Sequence, residues 1–260
     1  MKKLLIVGNW KMNLNTQEAS LLVHRLHQHI KTHRDIEVVL APSLLTLQPI
    51  SMEIDRRRFG LASQNAYFVD EGAYTGEVSF NMLRELVDYS IIGHSERRRY
   101  FQETLEVVRD KVAAAVRNGI TPILCVGETS PERAAGETQR VIHDQLTTAL
   151  HNLTPEEAAN VVVAYEPVWA IGTGDPEKPD DIKKVISWIR HILSELYGET
   201  QAGEQRVLYG ASVAPEFVRD ILKNTGVDGF LVGGASLNYQ QFAGIVDSAY
   251  AALHEGSDHD

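Results

Sequence analysis

The sequence has a single cysteine, Cys125, in 260 residues, so no disulfide can form within the chain and no multi-cysteine metal site can be assembled. Long apolar runs are missing too. The opening "MKKLLIVGNWK" offers only four apolar residues before Gly8, too few for the core of a signal peptide, and no apolar span reaches 18 residues. A cytoplasmic protein that does not cross a membrane is the expectation. Basic residues are scarce, 25 Lys and Arg against 35 Asp and Glu, for a formal net charge of -10. A field of that sign repels nucleic acid and anionic lipid, so any anionic ligand has to be held by a local arrangement of donors. Linker-like and low-complexity stretches are absent, and only the terminal "HEGSDHD" has a disordered composition. One domain over residues 1–260 follows from this reading.

What is present is a repeat of short β-branched runs separated by helix-period segments. Strands are expected at 4–8, 36–41, 59–63, 89–93, 121–127, 161–166, 206–211 and 229–234. Between them, residues 17–32 keep Ala19, Leu22, Val23, Leu26 and Ile30 on one face, and Gly119 and Gly198 mark two C-terminal stops. A long helix is expected to open at Ser130, with Pro131 in its first turn. Strands that are apolar throughout, rather than alternately, belong to a parallel sheet covered by helices. Eight such units in about 250 residues is the size of an α/β fold of the (β/α)8 barrel class, eight parallel strands surrounded by helices. A doubly wound open sheet competes, but it calls for a glycine fingerprint after the first strand, and "GNWKMN" is not one.

In a parallel barrel, chemistry collects at the C-terminal strand ends. Asn9 and Lys11 follow the first strand, His94, Ser95 and Glu96 the fourth, Glu166 the sixth, Ser212 the seventh, and Gly233 and Gly234 the eighth. Singly, each has an ordinary explanation: a lysine in a turn is more often a solvated charge, a histidine a cap, a pair of glycines a tight turn. Glu166 is harder to dismiss, because a dry strand delivers it and Pro167 stiffens the chain just beyond it. An unpaired buried carboxylate is costly, so a strand-end salt bridge or a catalytic role has to account for it.

Seven motifs in order, "GNWKMN" (8–13), "GAYTGEVS" (72–79), "IIGHSERR" (91–98), "CVGE" (125–128), "AYEPVWAIGTG" (164–174), "YGASV" (209–213) and "LVGGASL" (231–237), resemble the triosephosphate isomerase family across the whole chain. The resemblance implies an aldose–ketose isomerase of glycolysis and gluconeogenesis that works without cofactor or metal on dihydroxyacetone phosphate and D-glyceraldehyde 3-phosphate. It makes Glu166 the base that moves a proton through an enediol, and His94 a neutral electrophile at a helix N-terminus. Lys11 and Asn9 become donors to the developing charge, and Glu96 a partner of Lys11. It assigns the phosphate to Asn9, Lys11, Gly172, Ser212, Gly233 and Gly234, with residues 167–174 as a closing lid. The long segment 64–79 is implied to enter a second copy of the chain, Thr75 bracing Asn9 and Lys11, to give a homodimer. A tetrose phosphate isomerase of the same family, or a barrel that only binds sugar phosphate, stays open at this point. The family's Tyr-Gly-Gly-Ser after the seventh strand is here Tyr209-Gly210-Ala211-Ser212.

Elsewhere, His24 and His27 sit three apart on a helix, and His254 and His259 lie near the C-terminus, without an evident carboxylate or thiol to complete a zinc site. They read as a solvated face.

Overall fold

In the computed structural model, which describes residues 2–171 and 177–255, each apolar run becomes a parallel strand. The strands are β1 (Leu4–Asn9), β2 (Ile36–Ala41), β3 (Phe59–Ser63), β4 (Tyr89–Ile92), β5 (Thr121–Val126), β6 (Val162–Tyr165), β7 (Val207–Tyr209) and β8 (Gly229–Val232). They pair in chain order, and β8 returns to β1 to close the barrel.

Alternate side chains of a strand face opposite ways, so every strand feeds two cores. Leu5, Val7, Ile91, Ile123, Val162, Ala164, Leu208 and Leu231 are among those that fill the barrel. Leu4, Ile6, Ile92, Leu124, Val163 and Phe230 pack outward against the helices. Burial on both faces is why the strands read as unbroken apolar runs. At the N-terminal end the interior is plugged by Tyr89, whose hydroxyl donates to Glu37 Oε1 at 2.7 Å and accepts from Arg206 Nη2 at 2.8 Å.

The helices follow their caps. Thr16–His29 starts in a capping box between Asn15 and Glu18 and buries Ala19, Leu22, Val23 and Leu26. Pro179–Tyr197 stops at Gly198, as expected. The segment expected as one helix from Ser130 is instead two, Ser130–Ala134 and Thr138–Leu150. Thr129, not Ser130, is the N-cap, and Gly136, at φ 72°, makes the left-handed turn between them.

Candidate active site

Strand parity delivers the site. Val162 and Ala164 point into the barrel, so Glu166, two residues further on, points into its mouth. The same count from Val7, Leu208 and Leu231 puts Asn9, Gly210 and Gly233 at that rim. Glu166 is 3% exposed, and its backbone N–H donates to Val126 O at 2.7 Å. Its Oε1 lies 3.0 Å from His94 Nε2, and its Oε2 accepts the Ser95 N–H at 3.3 Å. An imidazole and an amide thus offset the cost of a dry carboxylate.

Lys11 reaches the mouth from the other side. It has a left-handed backbone, φ 54°, which costs a non-glycine residue about 1 kcal/mol. Two contacts hold it there: its N–H donates to Asn9 Oδ1 at 3.1 Å, and Gln64 Nε2 donates to its carbonyl at 2.8 Å. Its Nζ pairs with Glu96 Oε1 at 2.6 Å, the partner expected from the sequence. Asn9, Lys11, His94 and Glu96 border one cavity of about 470 Å³. Glu166 reaches His94 from a neighbouring hollow beneath Trp169 and Ile171.

The charges of this pair are coupled. Burial raises the Glu166 pKa, but the charge and hydrogen bond of His94, the Ser95 amide and Lys11 outweigh it and hold the carboxyl below its ordinary value. Burial pushes His94 down, and the adjacent Glu166 carboxylate more than reverses that, so the ring stands above its ordinary value. A helix N-terminus alone was expected to depress it; the carboxylate at 3.0 Å is the stronger influence. The helix still fixes the tautomer. His94 is the N-cap of Ser95–Tyr100, and its Nδ1 accepts the Glu96 N–H at 3.2 Å, which leaves Nε2 to carry the hydrogen toward Glu166.

Lys11, Ser212, Gly233 and Gly234 line a further cavity of about 350 Å³. A Cβ on Gly233 would stand 3.6 Å from Lys11 Cε, so the bare backbone there lies against the lysine stem. The Ser212 hydroxyl donates to Ala170 O at 3.1 Å, tying the end of β7 to the segment after Glu166. Gly172, and with it residues 172–174 of the expected lid, lies outside the described residues.

A family model described as triosephosphate isomerase matches residues 4–249. The triosephosphate isomerase of Carboxydothermus hydrogenoformans is 43% identical over 247 residues, covering 95% of this chain and 98% of the relative. That of Alkaliphilus metalliredigens is 43% identical over 248 residues, covering 95% of this chain and all of the relative. The chain belongs to the triosephosphate isomerase family. The Dehalococcoides mccartyi member is 41% identical over 249 residues, covering 96% of this chain and 97% of the relative.

Several residues that shape this family member's site were not singled out from its sequence. Gln64 bridges Lys11 O and Ala41 O. Arg98 donates to Gly93 O at 2.7 Å and Cys125 O at 3.0 Å. Glu128 and Glu177 are buried behind β6. Glu128 and Arg98 lie inside the family-like motifs, which was their only signal; Glu177 gave none. The surface histidines are occupied: His24 Nε2 meets Gln28, and His27 Nε2 accepts the Asp55 N–H. Among the described residues, no group of three or more His, Cys, Asp or Glu is placed to hold a metal.

Gly127 has no room for a side chain. A Cβ there would sit 1.7 Å from Glu166 O. Gly127→Ala must therefore push the end of β6 away from β5 and with it Glu166. A loss of about 3 kcal/mol or more in urea unfolding is expected, together with a fall in turnover.

Proposed function

We infer that the protein is a triosephosphate isomerase, interconverting dihydroxyacetone phosphate and D-glyceraldehyde 3-phosphate by proton transfer through an enediol. The observation that carries this is the meeting of Glu166 and His94 at 3.0 Å on a rim shared with Lys11, in a chain 41–43% identical to proteins of that name. In this reading the Glu166 carboxylate takes a proton from one carbon of the substrate and returns it to the next. His94 supplies its Nε2–H to the carbonyl oxygens, the same hydrogen that meets Glu166 here. A substrate oxygen that takes over this donor frees the carboxylate and raises its basicity, since loss of a partner in a dry site favours the protonated form.

Lys11 and Asn9 stabilise the enediolate electrostatically. Ser212, Gly233 and Gly234, with Lys11 and Asn9, receive the phosphate, for which backbone N–H groups are donors without bulk. Gly172 is assigned to the phosphate from the sequence alone. The same proposal takes residues 1–260 as one domain acting in the cytoplasm, where Cys125 stays a buried free thiol. It pairs two copies through loop 64–79, on which Tyr74 and Thr75 are exposed. Full activity from a monomer in sedimentation at nanomolar protein overturns that pairing.

Ala211 is the local departure from the family pattern. The positive-φ non-glycine positions among the described residues are Lys11, Leu14 and Gln102, so Ala211 carries no such strain. Ala211→Gly is expected to change kcat less than about tenfold, ~1.4 kcal/mol. The test of the function itself is a coupled assay of purified protein, without added metal, on triose and tetrose phosphates side by side. Turnover of triose phosphate with the larger kcat/KM is expected; preference for the tetrose, or no turnover, overturns the reading.

A further inference from the structure

Behind β6 lies a cluster that the reaction proposed above does not use. The side chains of Glu128 and Glu177 are fully buried. Between them stands the Tyr165 hydroxyl, 3.1 Å from Glu177 Oε2 and 3.3 and 3.4 Å from the two Glu128 oxygens. One guanidinium serves both: Arg133 Nη1, on helix Ser130–Ala134, is 2.5 Å from Glu177 Oε1 and 3.4 Å from Glu128 Oε1. It is shared further with the half-buried Asp181 of helix Pro179–Tyr197 at 3.2 Å. Among the described residues, the remaining titratable group facing Glu177 is Tyr209 at the end of β7, whose hydroxyl accepts the Glu177 N–H at 3.1 Å. A phenol has one hydrogen to give, and two buried carboxylates receive it; a proton on one of them removes both the shortage and the repulsion.

The same cluster grips the strand end that carries the base. Tyr165 directly precedes Glu166. Trp169 Nε1 donates to Glu128 Oε1 at 3.0 Å, the Val168 N–H donates to Glu128 O at 3.1 Å, and Arg133 stacks on the Trp169 ring at 4.2 Å. We propose that Glu177 is a proton-dependent positioning residue: protonated, it closes the hydrogen bonding around Tyr165 and holds the end of β6 in place for Glu166, and ionised, it repels Glu128 and loosens that grip. The proposal rests on the isomerase reading above. Burial, against the opposing charge of Arg133, pushes the Glu177 carboxyl up to about 7. An acid with a raised folded-state pKa lends its stabilisation fully below its ordinary value and loses it as the pH rises through the folded one. The grip is therefore expected to weaken from about pH 5 to pH 8.

Two readouts test this on the full chain. In wild type, the Trp169 indole N–H resonance, assigned by its loss in Trp169→Phe, is expected to titrate with a midpoint about 7, and in Glu177→Gln to stay flat. In steady-state assays, the ratio of Glu177→Gln to wild-type kcat/KM is expected to climb at least about threefold, ~0.65 kcal/mol, between pH 5.5 and 8.5. Substrate phosphate ionisation cancels in that ratio. An indole that titrates alike in both proteins, or a flat ratio with both active, overturns the proposal. Absence of turnover in wild type at every pH overturns the isomerase reading instead.

Discussion

Glu166→Asp is expected to lower kcat on the order of 10²-fold while KM moves by less than about threefold. The substitution keeps the charge and withdraws it by one methylene. The backbone cannot follow, because Glu166 N–H is fixed to Val126 O at 2.7 Å, its carbonyl rests on the bare backbone of Gly127, and Pro167 comes next. The stem is fixed too: its Cγ lies where a side chain on Gly210 would approach to 3.2 Å. A displacement of about 1 Å at a reacting group is enough for a loss of that size. Ser212, Gly233 and Gly234 are untouched, so the phosphate contacts proposed for them persist and KM is spared. Glu166→Gln, which keeps the shape and removes the basicity, is expected to fall further. Steady-state kinetics on triose phosphate decide it, and unchanged turnover in Glu166→Asp removes Glu166 from the role of base.

Lys11→Met is expected to lower kcat/KM on the order of 10³-fold, with both kcat and KM affected. Methionine keeps the stem against Gly233 and removes the cation, which faces the cavities assigned to both the enediolate and the phosphate. It also leaves Glu96 without its partner at 2.6 Å, so an uncompensated negative charge faces an anionic substrate. The fold is expected to survive. Lys11 and Glu96 keep 27% and 40% of their side-chain surface, and pairs so exposed contribute at most about 1 kcal/mol. A thermal midpoint within a few degrees of wild type, measured beside the kinetics, separates lost chemistry from lost structure.

How much of this was legible in the sequence depends on the range of the interactions. Strand positions were readable because burial on both faces leaves a continuous apolar run, and β2 and β3 begin and end where those runs do. Once the strands are placed, parity alone sends Asn9, Glu166 and Gly233 to one rim. Lys11 and Glu96 were also recoverable, since both come after strands that end at that rim. The turn at Gly136 was missed because Gly136 lies inside an otherwise helical pattern, where glycine is tolerated more often than it breaks the helix. The direction of the His94 pKa shift was hidden for a different reason. The helix N-terminus is local and visible in the sequence, whereas the Glu166 carboxylate, 72 residues away along the chain, is brought to 3.0 Å only by closing the barrel. Gln64, Glu128 and Glu177 gave no periodic pattern, because their partners come from other strands and loops.

The measurement that bears most directly on the account is isomerisation in deuterium oxide. A carboxylate that takes a carbon-bound proton and returns it through an enediol holds it meanwhile as a carboxylic acid, whose proton exchanges with solvent in a share of the turnovers. The product is therefore expected to carry deuterium at the carbon that receives the proton, with both turnover and incorporation collapsing together in Glu166→Gln. Product that forms at the wild-type rate without solvent deuterium, or incorporation that survives in Glu166→Gln, contradicts it.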